Sequence, residues 1–350
     1  MVNHNSLMSY VQIMPALEYH EIHTESIVID THCDTLKCLF QEFTKPRDSM
    51  WEYRGDTGMG QRSSIGHLDV PRMIEGGVTC QVFAVSSERS RMPAYPLRTA
   101  LLMIDRFYSE CESIPEIKPV TTYREIVEAK KQGKVAGLLS IEGADVIEGR
   151  IEMLGVFHRL GVRMAGLVHS LRNQLADGVA DRRTGGGLSE LGVQAIEELD
   201  RLGMIIDVSH LNDDGFWDVL EQTMNPIIAS HSNSRAVCNH PRNMTDEMIT
   251  ALAENGGVMG MNFAPSFVHK TDATLEAVID HIDHIVDLVG PDHVGLGSDY
   301  DGIPSTPRGL EDVTKMPDIT RELVKREYSR EDILKILGGN HLRLFKKVIG

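Results

Sequence analysis

The sequence predicts an α/β protein of the (β/α)8, or TIM, barrel class, and three observations carry that prediction. Eight short apolar runs recur along the chain, amphipathic helical patterns lie between most of them, and the connections differ in kind on the two sides of each run. The runs lack strict alternation of polar and apolar residues. That is the pattern of parallel strands buried on both faces, because helices cover the outside of the sheet.

The runs, in chain order, are SIVID (26–30), VTCQVFAV (78–85), VAGLLSI (135–141), VRMAGLV (162–168), GMIIDVS (203–209), PIIAS (226–230), GGVMGMNF (256–263) and HVGLGS (293–298). Two helical patterns are clearest. In LSELGVQAIEELDRLG, Leu188, Leu191, Ala195, Ile196, Leu199 and Leu202 share one face, with Ser189 placed to cap the start. In TLEAVIDHIDHIVDLVG, Leu275, Val278, Ile279, Ile282, Ile285, Val286 and Val289 turn one way and Asp280, Asp283, His284 and Asp287 another. His281 and His284 then read as solvated residues of a surface helix. The tail from about 316 to 350 also reads as helical.

An open doubly wound sheet is the alternative architecture, but no G-x-G-x-x-G or Walker sequence follows the first run. Connections into strands are tight and marked by glycine, as in LGVRM, RLGMII and ENGGVMG. Connections out of strands are long and polar, spanning 44–66, 170–187 and 232–247. Long loops that all follow strands gather on the C-terminal face of a barrel, where barrel active sites sit. The reading is one domain over residues 26–350, a barrel with C-terminal helices, behind an N-terminal extension of residues 1–25 with no assigned role.

A formal net charge of -16 and the lack of a basic stripe argue against a nucleic-acid partner, which requires clustered Lys and Arg. No apolar run approaches the roughly 18 residues of a membrane span. The first residues, MVNHNSLMSYVQIMPALEYHE, lack a basic start and a continuous apolar segment, so a cytoplasmic, soluble protein is expected. Five cysteines, Cys33, Cys38, Cys80, Cys111 and Cys238, show no paired metal spacing and fit reduced thiols.

Function is concentrated at the strand ends. His32 and Asp34 follow the first run, Glu142 the third, His169 the fourth, His210 the fifth, His231 the sixth and Asp299 the eighth. Each alone has an ordinary reading, a rim hydrogen bond for the histidines and a helix cap for the aspartates. Seven ionisable residues on six matching strand ends are not expected from packing. His32 and Asp34, two apart, project to the same side of a strand. Imidazoles with carboxylates make a ligand set suited to zinc, and a carboxylate such as Glu142 can span two ions. Two ions about 3.5 to 4 Å apart would bind one water and lower its pKa toward roughly 7. The attacking water must lose a proton and a leaving amine gain one, and Asp299 is the candidate for that transfer.

Taken together, VIDTHCDTL, HLDVPRMIEGGVTCQVFAV, SIEGAD, LVHSLRN, GLSELGVQAIEELDRLGMIIDVSH, PIIASHSNSRAV, HPRNMTD and GLGSDYDGI resemble the membrane (renal) dipeptidase family of the amidohydrolase superfamily, over most of the chain. The resemblance implies a metal-dependent hydrolase barrel that cleaves dipeptides. It implies one zinc on His32, Asp34 and Glu142 and another on Glu142, His210 and His231, with other divalent metals able to take their place. It further implies that His169 contacts the scissile carbonyl oxygen, that Arg242 binds the substrate's terminal carboxylate, that Asp299 lies near the bridging water, and that the protein is a homodimer tolerant of a D-residue at the C-terminal position. Cys33 departs from the family's mammalian members, which have asparagine between the two first-strand ligands, and places an oxidisable thiol there. Two rival readings stand beside the dipeptidase. One keeps the metal site but turns it on an N-acyl amino acid or a lactam; the other is a noncatalytic barrel, which would have no use for Asp299.

Overall fold

Each of the eight predicted runs forms a strand in the computed structural model, which describes residues 18–40, 53–86 and 95–350. They are β1 (Val28–Cys33), β2 (Val78–Ser86), β4 (Val135–Glu142), β5 (Val162–Gly166), β6 (Ile205–Asp207), β7 (Ile228–Ser232), β8 (Val258–Met261) and β9 (Val294–Leu296). A ninth, β3 (Ile117–Pro119), was not expected; it pairs in parallel with the start of β4, Ile117 opposite Val135. Three residues ending in proline suit an edge position better than a barrel stave.

All pairings between these strands are parallel, in the order β2-β1-β9-β8-β7-β6-β5-β4, and β2 also pairs with β4, which closes eight strands into a barrel. Parallel neighbours need crossovers, and helices supply them. Helix Glu190–Leu202 shows how sequence sets such a unit. Ser189 Oγ accepts from Gly192 N at the start, Ala195, Ile196 and Leu199 are buried, and Gly203 stops the helix in the left-handed region at φ 67°.

One apolar cluster takes Ile29, Cys80, Val82, Ala136, Leu138, Met164, Ile205, Ile228 and Val258 from seven of the eight staves. A contiguous cluster drawn from so many strands is the barrel's interior. It is joined by Leu344 and Phe345 of helix Asn340–Val348. That helix seals the end where strands begin: Arg343 donates to the carbonyls of Gly256 and Asp292, and Asn340 Nδ2 to that of Val294. With one end plugged, the other is the mouth. The long loops open there, although residues 44–52 of the first lie outside the described residues, as do residues 1–17 of the expected extension.

Residues 18–25 are helical and lie against the barrel, with Ile22 buried in the main apolar cluster. His23 Nε2 lies 2.9 Å from the Gly76 carbonyl and Nδ1 2.7 Å from Thr320 Oγ1. No helix among the described residues is long and apolar enough to cross a membrane.

Candidate metal centre and active-site cavity

The mouth is built from strand ends. His32 lies in β1 and Asp34 follows it, Glu142 ends β4, His231 lies in β7, and His169, His210 and Asp299 each come three residues past the ends of β5, β6 and β9. Two of these turns are forced: His210 and Asp299 hold φ of 73° and 63°, a region costly for residues with a Cβ. Gly302, just beyond Asp299, answers a close approach, since a Cβ there would collide with the carboxylates of Asp299 and Asp34.

Glu142 Oε1 is the hub. Four imidazole Nε2 atoms surround it, His210 at 3.2 Å, His32 at 3.5 Å, His169 at 3.7 Å and His231 at 3.8 Å. His210 Nε2 and His231 Nε2 are 2.9 Å apart, and His32 Nε2 is 3.8 Å from Asp299 Oδ1. His32 Nε2 is buried without a hydrogen-bond partner among the described residues. Behind the centre, Ser230 Oγ donates to Asp207 Oδ2, so it accepts from His231 Nδ1 at 2.7 Å. That bond fixes the tautomer and turns the Nε2 lone pair toward the hub. Three overlapping groups bring ligand atoms within 4.8 Å of one another: His32, Glu142 and His231; Glu142, His169 and His210; and His32, Asp34 and Asp299. Converging lone pairs, an unpartnered buried nitrogen and a shared carboxylate fit a divalent cation.

The charges agree. Burial, followed by Arg242 and His169, holds His210 well below the usual imidazole range, and burial with His32 and Arg242 does the same to His231. Neutral imidazole is the form that binds metal. Burial alone would raise Glu142, but Lys37, His169 and His32 hold it well below the usual carboxylate range. Burial pushes Asp299 up to about 7, with Asp34 and Glu142 adding and His32 opposing.

Beyond the hub opens a cavity of about 450 Å³ lined by Asp34, Glu142, His169, His210, Arg242 and Asp299 on its polar side and by Ala264, Pro265, Phe267, Ile303 and Pro304 on its apolar side. All seven strand-end residues, with Arg242, therefore belong to one neighbourhood. Arg242 is 8% exposed, lies 5.6 Å from the centre of the Phe267 ring, and among the described residues its guanidinium donates only to neutral oxygens, Ser232 Oγ at 3.5 Å and the His231 carbonyl at 3.3 Å. Sequence reasoning missed Lys37, whose Nζ is 2.6 Å from Asp34 Oδ1; its signal was a lone lysine in the apolar stretch TLKCLF, one 3-10 turn past a ligand. It also missed Asn262, which donates to Asp299 Oδ2 at 3.0 Å, and the buried pair of Arg54 with Asp301, Nη2 to Oδ2 at 2.8 Å.

Two expectations fail. His281 is not solvated; it is fully buried, with Nδ1 accepting from Ser234 N at 3.1 Å and Nε2 donating to the Val268 carbonyl at 3.0 Å. It lies at the border of the buried face formed by Val278, Ile282 and Ile285 and faces the segment after β7. His284 is part-buried and lies 2.8 Å from Asp246. Cys33 is fully buried, and burial pushes its thiol well above the usual range, which removes the thiolate that oxidation needs.

Residues 17–349 match the model of the membrane dipeptidase family, peptidase family M19. The chain belongs to that family. Among curated relatives it is 36% identical over 296 residues to dipeptidase aclJ of Aspergillus oryzae, covering 81% of this chain and 70% of that one. An uncharacterized dipeptidase of Schizosaccharomyces pombe is 33% identical over 348 residues, covering 94% and 82%. Among solved structures, the M19 metallopeptidase dipeptidase AC superposes with a TM-score of 0.81 at 32% identity, covering 93% of this chain and 100% of that one. A metallopeptidase from Rhodobacter sphaeroides, liganded with a phosphinate mimic of L-Ala-D-Ala, gives 0.80 at 30% identity with coverage of 93% and 100%. The protein is thus a metallo-dipeptidase by family, a hydrolase of peptide bonds on a (β/α)8 barrel.

Proposed function

We propose that the protein is a cytoplasmic dipeptidase acting on L,L and L,D dipeptides through two zinc ions, one held by His32, Asp34 and Glu142 and the other by Glu142, His210 and His231. The catalytic unit in this reading is the single barrel domain of residues 26–350, and the molecule works as a homodimer without a nucleic-acid or membrane partner. Zinc in these positions supplies, when bound, a Lewis acid and a water whose pKa falls toward roughly 7.

The observation that carries the reading is Arg242. A buried guanidinium with no ion pair among the described residues, at the wall of a cavity that also holds the metal-ligand cluster, lacks a carboxylate that a dipeptide's C-terminus provides. With the terminal carboxylate on Arg242, the peptide bond is held one residue away, toward the hub. That geometry limits chain length on the C-terminal side. His169 Nε2, on the hub's open side, donates to the carbonyl oxygen as it gains charge. Asp299 keeps Oδ2 on the Asn262 amide and leaves Oδ1 to take the water's proton and return it to the departing amine. Tolerance of a D-residue is supported by the Rhodobacter neighbour, whose ligand mimics L-Ala-D-Ala. Five free cysteines support the cytoplasmic address.

Steady-state rates for L,L and L,D dipeptides, set against N-acyl amino acids and a lactam, test the proposal. Dipeptides are expected to be the faster class; a zinc-loaded protein with no dipeptide turnover would overturn it.

A further inference from the structure

Lys37 distinguishes the two halves of the centre. It lies in the single 3-10 turn Thr35–Leu39 that follows Asp34, and side chains three apart on such a turn eclipse one another, so its chain folds back over Asp34. The Nζ is 2.6 Å from Asp34 Oδ1 and donates to Glu142 Oε2 at 3.3 Å, and the side chain is 1% exposed. Glu142 is therefore divided: Oε1 faces the imidazoles, while Oε2 is held by an ammonium. Both carboxylates that would complete a site with His32 carry this cation. On the other half, His210 and His231 meet Glu142 Oε1 without a lysine between them.

We propose that Lys37 makes the two ion positions unequal, so that the position on Glu142, His210 and His231 fills first and tightly, while the position on His32 and Asp34 accepts its ion only by displacing the ammonium. The inference rests on the reading that these residues hold two ions. Asp34 and Glu142 supply two negative charges, and Lys37 already neutralises one of them. A divalent ion entering beside that ammonium meets like charge at close range, which weakens binding by at least about tenfold even when screened as in water. The first-strand ion is then the one lost as free metal falls, and free metal sets how much protein is fully loaded.

The test is zinc binding to the chelator-stripped full chain, followed by competition with a chromophoric chelator and by metal analysis at fixed free zinc. The wild type is expected to show two affinities at least about tenfold apart. Lys37→Met should strengthen the weaker class by a similar factor and leave the tighter one in place, whereas Lys37→Arg, which keeps the charge, should keep the separation. Circular dichroism confirms the fold, and Lys37→Gln replaces the Met variant if that one does not fold. Two equal affinities in the wild type, or a Lys37→Met curve that superimposes on it, would overturn the proposal. Dipeptide turnover measured on the same samples separates the two readings: unequal sites with no turnover at any loading refute the dipeptidase and leave Lys37's role standing, while full turnover with equal sites does the reverse.

Discussion

Buried ionisable groups occur in two regions of this molecule under opposite rules. In the shell, His23 and His281 have both ring nitrogens in hydrogen bonds, and behind the centre the buried carboxylates of Asp30 and Asp207 accept from Ser298 and Ser230. At the mouth, among the described residues, His32 Nε2 has no hydrogen-bond partner and Arg242 no carboxylate in an ion pair, while His210 and His231 turn Nε2 toward each other. Burial is the same in both regions, so burial does not mark function. Open valence does. His341 sets the limit of the rule, because among the described residues neither ring nitrogen has a well-formed hydrogen bond, the Leu296 carbonyl giving only a weak contact, yet it joins no metal-competent group there; several open groups must converge.

The comparison breaks first at Asp299. Replacing it with Asn keeps the shape and the Asn262 contact but removes the proton acceptor, so kcat should fall by about 10²- to 10⁴-fold with metal content and unfolding midpoint unchanged. Unchanged turnover in the purified variant would refute the role assigned to it. A contrast between two histidines comes next. His231→Asn should lose metal and at least roughly 100-fold in activity with little change in the apo protein's stability. His281→Gln should do the opposite, keeping kcat while costing about 1–3 kcal/mol, since Ser234 N or the Val268 carbonyl is left without its full partner. If both variants failed in the same way, satisfied and open histidines would not be different classes. Arg242→Met should lower kcat/KM by about 10- to 100-fold, the worth of a charge-assisted pair, chiefly through KM. The same change should scarcely affect a substrate without a free carboxylate.

How much of this was legible in the sequence divides along the same line. Strand ends were readable because β-strands place side chains with a fixed period and barrels put all strand ends on one rim, so His32, Glu142 and His231 follow from topology alone. Arg242 and the carbonyl role of His169 came only through resemblance, because loops carry no such period. Lys37 was invisible for a related reason: its function depends on an ion pair with Glu142, 105 positions away, across strands whose register no single-strand pattern encodes. His281 was misread because Asp280, Asp283 and His284 beside it mark a polar face, while its partners lie far along the chain, Ser234 just past β7 and Val268 at the end of the short helix Pro265–Val268.

The smallest expected effect is a pH dependence that follows from the burial of His281. Burial lowers the pKa of His281 from 6.5 to about 4, with its bond to the Val268 carbonyl opposing. The folded value lies below the unfolded one, so between these pH values the unfolded chain binds the extra proton. The contribution of His281 is therefore full above pH 6.5 and is lost as pH falls toward 4. From pH 7 to pH 5 the loss is about 2 kcal/mol, by linkage between the two states. Urea unfolding of the metal-free protein at several pH values measures it. Because other histidines titrate in the same range, the decisive quantity is the difference between wild type and His281→Gln. That difference should shrink as the medium is acidified, since the wild type loses the advantage that a neutral, doubly bonded imidazole confers. A difference independent of pH would mean that His281 takes up its proton as readily folded as unfolded, and would remove it from the class of satisfied residues.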